Sequence, residues 1–252
     1  VRTMLGMFGG QHLRLVEALA ESRVRWPESW NNHGAASVGE ACRRLIAGPP
    51  PAAGDRDPLG VLAEPVPNAD FPLSAHQHII SALVLAVFGR WPEVHALLEP
   101  ICDPIERAMG RIWFISTARL LLGISAAALA NHHQGHERAQ LLATLRRSLQ
   151  RVARWTARGA NLACHEAFLR AELSACEGLL EPAIEQFERA RELATQLRNP
   201  MLEALTSERL AATLIERKRE RLALGALLDA RDRYQHWGAF AKVAQLEQRW
   251  PE

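Results

Sequence analysis

From Ser74 onward, apolar residues return every third or fourth position, with polar residues between them. That spacing follows the 3.6-residue turn and predicts amphipathic helices rather than strands, whose side chains alternate with period two. The expected helices cover residues 74–89, then 91–100 with Pro92 in the first turn, then 111–130 and 136–159. In the last of these, Leu141, Leu142, Leu145, Leu149, Val152 and Trp155 form one stripe. Residues 111–130 are the most apolar stretch. Arg119 near their centre opposes membrane insertion by about 3 kcal/mol. The stretch therefore reads as a helix buried on most sides, with Arg119 on its wet face.

The last third, residues 161–252, organises the chain. It reads as two helix pairs of one design followed by a closing helix. Ala171, Gly178, Ala183, Phe187 and Ala190 have the spacing 0, 7, 12, 16, 19. A shift of 40 gives Ala211, Lys218, Ala223, Leu227 and Ala230, and a shift back of 89 gives Ala82, Gly89, Val94, Leu98 and Ile101. A small residue on the first helix lets the second approach, a glycine closes the turn, and the second helix presents a small residue and a large knob. This is the tetratricopeptide pattern, with a period near 40 rather than 34, and Lys218 departs from it at the glycine place. Gly238 is expected to end the last long helix, and residues 238–249 to form a capping helix over the final repeat.

Before Ser74 the pattern weakens. Residues 11–22 and 37–48 read as helices, the second with Ser37 as N-cap, Glu40 closing a capping box and Gly48 as the stop. The stretch PESWNNHG between them reads as a loop. Residues 49–72 carry seven prolines and two glycines, which preclude a regular helix. The expected organisation is an irregular helical segment (1–48), a proline-rich loop or linker (49–72) and a helical-repeat domain (73–252). The fold expected is all-α, a right-handed superhelix of antiparallel helix pairs.

Composition supports helix: Ala, Leu, Glu and Arg dominate and tyrosine occurs once. The net charge of +2 gives no field that would draw nucleic acid or a membrane, and arginine clusters such as ERKRER carry their own acids. The four cysteines form no CxxC pair. Cys164 and Cys176, twelve apart on one helix, would lie about 18 Å apart, beyond disulfide reach. Reduced thiols and the lack of a signal-peptide pattern at the first residues point to a cytoplasmic protein.

Candidate chemistry is sparse. His132, His133 and His136 form HHxxH, but in a glycine-containing turn without an evident fourth donor, which reads as an exposed polar loop. His76 and His78 lie two apart on a helix and point in different directions. Glu188 and Glu192 are i, i+4 on a helix surface beside arginines. No phosphate-binding, zinc-hydrolase or serine-hydrolase motif is present. The chain is expected to hold no catalytic residue, cofactor or metal.

Residues 161–252 resemble the helical-repeat region of bacterial multidomain AAA/STAND ATPase signalling proteins, of the serine/threonine kinase–ATPase–sensor histidine kinase type. The residues that carry the resemblance are Tyr234, Trp237–Gly238–Ala239, Lys242–Val243, Leu246–Glu247 and Trp250–Pro251, with Ala171–Glu172–Leu173 upstream. The stretch SALVLAVFGRWPEVHALLEP is similar to an earlier repeat of that family, so the resemblance spans about residues 71–252. NLACHE at 161–166 lacks the basic residue that the family carries there. The resemblance implies a non-catalytic scaffold that contacts a protein or adjacent domains of the same polypeptide, with Tyr234, Trp237, Gly238, Ala239, Lys242, Val243 and Leu246 as structural or docking residues. It implies regulation of attached ATPase or kinase modules. The alternative is the sensor region of an ATPase-type transcription regulator, binding a small-molecule effector in its groove.

Overall fold

A computed structural model describes residues 40–48, 71–109 and 113–250. The helix expected at 11–22, the loop at 27–34, the Ser37 cap, Pro251 and all of the proline-rich stretch 49–72 except its last two residues, which begin a helix, lie outside the described residues. The protein is all-α, with no strand among the described residues. In chain order the helices are α1 (40–47), α2 (Phe71–Val87), α3 (Trp91–Met109), α4 (Trp113–Ala130), α5 (Gly135–Thr156), α6 (Ala163–Cys176), α7 (Leu180–Gln196), α8 (Pro200–Glu216), α9 (Glu220–Trp237) and α10 (Phe240–Arg249). A 3-10 turn, Ala160–Leu162, precedes α6.

Short turns make consecutive helices antiparallel neighbours. They pack as pairs, α2 with α3, α4 with α5, α6 with α7 and α8 with α9, and α10 follows on α9. The first helices of the pairs also meet one another, α2 against α4 and α4 against α6. One contiguous apolar core runs through the whole stack.

One turn recurs down the array. Gly89 (φ +75°), Gly178 (φ +85°), Arg198 (φ +52°), Lys218 (φ +57°) and Gly238 (φ +88°) each take the left-handed conformation just past a helix end. In each, the next residue's N–H bonds the carbonyl five back, as in Leu179 N to Ser174 O at 2.9 Å and Arg219 N to Leu214 O at 2.8 Å. This motif satisfies carbonyls that the helix end leaves open. Lys218 therefore keeps the backbone of the glycine it replaces, at a steric cost of about 1–2 kcal/mol. The next helix, α8, starts on a firm signal: Asn199 Oδ1 accepts from Leu202 N at 3.1 Å and Pro200 opens the first turn.

The repeat residues occupy the seams. Ala171, Ala183, Phe187 and Ala190 are fully buried, as are Ala82, Val94, Leu98, Ala211 and Ala230. The Phe168 and Phe187 rings meet edge to face at 5.8 Å between α6 and α7. Ala190 is small enough for Cys164 Sγ to reach its carbonyl, 3.3 Å away. Ala223 is buried and Leu227 half-buried.

Two expectations need correction. Helix α3 does not stop at Pro100 but runs through Pro100 and Pro104 to Met109. An internal proline costs about 3 kcal/mol. Here Ile101, Cys102 and Ile105 bury their side chains just beyond it, each contributing about 1.5–3 kcal/mol. Arg119 is not on a wet face. It is 2% exposed, because α4 is walled in by α3, α5, α2 and α6. Its guanidinium pairs with Asp103 and, at 2.8 Å, with Glu106, one turn apart on α3. Burial works against its charge, but the hydrogen bonds and charges around it, those of Asp103 and Glu106 among them, together outweigh burial and raise its pKa, while the Arg119 bond holds Asp103 below the usual carboxylate range. The Glu40 carboxylate accepts from Arg43 and Arg44 at 2.9 Å, while its capping box with Ser37 falls outside the described residues.

The α4–α5 pair was not among the overlaid repeats. At Gly123, α4 approaches both α6 and α5 closely: an added Cβ would fall 2.4 Å from Leu169 Cδ2 of α6 and 3.2 Å from Ser148 Cβ of α5. Gly123→Ala gains up to about 1 kcal/mol of helix propensity against about 1–3 kcal/mol of overpacking. Leu169 is fully buried and cannot swing away. The expected net loss of about 1 kcal/mol is read as a lower urea midpoint at unchanged slope.

Helix α1 joins the same core through Ala41, Cys42 and Leu45. Its end adjoins α10, since a Cβ on Gly48 would lie 3.5 Å from Ala241 Cβ. All four cysteines are free and buried, and burial pushes each thiol up to about 12. A thiol reagent at pH 8 should find no fast-reacting site in the native chain and four after denaturation, because only the thiolate reacts.

Candidate interaction groove

The residues of the C-terminal signature converge on one joint, where α8, α9 and α10 meet. Gly238 takes the left-handed conformation that ends α9, and α10 packs back against α9, with Lys242 reaching Glu208 of α8. Tyr234, Trp237 and Ala239 are fully buried in the corner, and Val243 and Leu246 bury the inner stripe of α10. The Tyr234 and Trp237 rings lie 6.3 Å apart. At the centre is Glu208 of α8. Tyr234 Oη donates to its Oε2 at 2.7 Å, and Lys242 Nζ donates to its Oε1 at 2.6 Å. Lys242 also donates to Gln245 Oε1 at 2.9 Å and sits 5.7 Å from the Tyr234 ring. Burial, then the Glu208 charge, pushes the Tyr234 phenol well above its ordinary range.

Glu208 was not singled out from the sequence. Its signal was present: a tyrosine and a lysine on a buried stripe both demand an acceptor, and a buried lysine demands a carboxylate.

A second buried pair lies one residue along α8. Arg209 donates from Nε and Nη2 to the two carboxylate oxygens of Glu172 on α6, at 2.7 and 2.9 Å. Both side chains are almost wholly buried. Burial disfavours the Arg209 charge, but Glu172 outweighs it and the guanidinium's pKa is raised. Arg209 also stacks over Trp91 at 5.3 Å. One side chain thus connects α3, α6 and α8, three elements far apart in sequence.

Between these pairs and the ends of α2 and α4 opens a groove of about 370 Å³. Its walls mix apolar Phe88, Trp91 and Ile215 with polar Glu208, Arg209 and Lys242. The arrangement can hold a partner by apolar contact and by hydrogen bonds at its walls.

The histidine motif does not contribute a metal site. His132 and His136 are exposed, and His133 Nδ1, in the turn after α4, lies 2.8 Å from the carbonyl of Leu129 on α4. No group of three His, Cys, Asp or Glu among the described residues is placed to hold an ion. No helix among them is long and apolar enough to cross a membrane. His76 meets Phe114 edge-on at 5.9 Å, and burial lowers the pKa of His78.

No family model, curated protein or solved structure matches this chain.

Proposed function

We propose that the chain is the non-catalytic helical-repeat scaffold of a bacterial signalling protein. It mediates protein–protein or interdomain contacts that regulate attached ATPase or kinase modules. The observation that carries this reading is the use of charge in the interior. Glu172–Arg209 and Glu208 with Tyr234 and Lys242 each bridge separate helices. These groups fix helices relative to one another, as a coupling element requires. Stacked pairs that cannot bury their faces alone form an extended framework of this kind.

The test uses the native reading frame, expressed whole. ATP hydrolysis and phosphotransfer of the attached modules are compared between wild type and Lys242→Met. The expected result is intact turnover with lost regulation. A frame without such modules, or regulation unchanged by the substitution, would count against the reading.

A second reading is favoured by the groove's size, about 370 Å³, which lies in the range of small-molecule sites. In that case the chain senses an effector for an ATPase-type transcription regulator. A metabolite panel in a thermal-shift assay separates the two. A true effector at a hundredfold excess over Kd adds about 2.7 kcal/mol of stability, and a purely protein-binding groove adds none.

A further inference from the structure

The outer faces of α5 and α7 carry charges of opposite sign in the same spacing. Arg147, Arg151 and Arg154 lie on α5, and Arg158 follows in the turn after it. Glu181, Glu185, Glu188 and Glu192 lie on α7. Both rows run i, i+4, i+7, i+11, which keeps four residues on one helix face over about 16 Å. Each row lies opposite the side that its helix buries, Leu142, Leu145 and Val152 on α5 and Ala183, Phe187 and Ala190 on α7. In the 252 residues no other stretch completes that spacing with acids, and no other completes it with bases.

Neither row is neutralised within the chain. Asp103 and Glu106 already hold the buried Arg119, and they also face Arg147 at 4.0 Å and Arg151 at 3.4 Å. Arg154 donates to the Gln150 carbonyl of its own helix, and neither it nor Arg158 meets a carboxylate among the described residues. On α7, Glu188 pairs with Arg191, and Glu192 with Arg189 at 3.4 Å. Glu181 and Glu185 meet no base among the described residues. The rows stand in solvent: the side chain of Arg147 is 56% exposed and that of Glu192 62%.

The stack sets the two rows side by side. The first helices of the pairs pack on one another, so α5 and α7, second helices of consecutive pairs, lie on the other side and run in the same sense. A basic row flanked by an acidic one repels a polyanion or an anionic membrane as much as it attracts it. A surface that carries both rows complements it, and a second copy of the chain is such a surface. A two-fold axis along the helices sets the arginine row of each copy against the glutamate row of the other, so the contact occurs twice.

We infer that this face forms a symmetric, salt-sensitive dimer, in which Arg147 of one copy meets Glu181 of the other, and so on along the rows to Arg158 and Glu192. In this register every pair brings together one charge that has a counter-ion in its own chain and one that has none among the described residues. No other segment of the chain offers a complete row to either helix. Exposed ion pairs are individually weak, so the contact depends on the whole row and on ionic strength. The inference concerns the outer face and is independent of any ligand in the groove.

Sedimentation equilibrium of the full 252-residue chain tests it. A monomer–dimer equilibrium is expected, with a dissociation constant raised at least about tenfold between about 50 mM and about 500 mM salt. Arg158→Glu and Glu192→Arg should each weaken association at least about tenfold. The two together in one chain should restore it, because each facing pair is then reversed but intact. Both positions are exposed, and circular dichroism verifies that the variants fold. A chain that stays monomeric up to about 1 mM at low salt would overturn the inference. So would a dimer indifferent to salt and to Arg158→Glu, or a double variant that does not recover association.

Discussion

Glu172→Gln should lower the stability of the chain by about 3–5 kcal/mol. The substitution preserves shape and one hydrogen bond but leaves the Arg209 guanidinium charged among buried neighbours. Glu172 is 1% exposed and Arg209 5%, so water cannot take over the lost partner. For a domain of this size the loss corresponds to a melting temperature lower by roughly 10 °C. Replacing both partners, with Glu172→Met and Arg209→Leu, should recover much of it, because an apolar pair of similar volume does not pay the desolvation of two charges. The recovery should be incomplete, since Trp91 loses the cation above its ring. A single substitution costing less than 1 kcal/mol in urea melts would show that the pair is solvated.

The second large effect is on acid stability. His165 is buried, its Nδ1 has no hydrogen-bond partner among the described residues, and burial lowers its pKa from 6.5 to about 4. The folded state holds this ring neutral in a range where the unfolded chain protonates it. Its contribution is therefore complete above pH 6.5 and is lost as pH falls from 6.5 to about 4. The total is about 3 kcal/mol, from a shift of this size at 1.36 kcal/mol per pH unit. Burial lowers His78 and His95 in the same direction, although Glu99 opposes it at His95. The carboxylate of Asp103, held low by Arg119, adds its loss only further into acid, below its unfolded value. Urea melts between pH 7 and pH 4.5 should show the decline, and His165→Gln, which cannot titrate, should flatten it. Parallel curves for the two proteins would refute the assignment.

The sequence made most of the helices legible because their apolar stripes are long and their ends carry strong local signals. Gly178, Gly89 and Gly238 mark turns that the structure closes in the left-handed conformation. Asn199–Pro200 marks the start of α8. Lys218 shows the limit of such signals: the turn is imposed by its two flanking helices, and the residue conforms to it. Pro100 and Pro104 mislead for the same reason, since a local penalty of a few kcal/mol is outweighed by burial that only the neighbouring helices provide.

Charge placement was less legible. Arg119 looked like a residue that should face water, and by composition alone it should. Asp103 and Glu106, sixteen and thirteen residues away, make its burial possible. The partners of Tyr234 and Lys242 were hidden likewise, because Glu208 lies on a different helix and reads in sequence as one more surface acid.

The amino-acid sequence by itself determined the all-α class, the period near 40, the turn positions and the stripe that each helix buries. These follow from spacing and backbone chemistry within about one helical turn. Only the tertiary structure decided which charges are interior, that α1 joins the same core and that α3 runs on through two prolines. Each of these depends on contacts between residues tens of positions apart, and no local spacing encodes which distant side chain completes a buried pair.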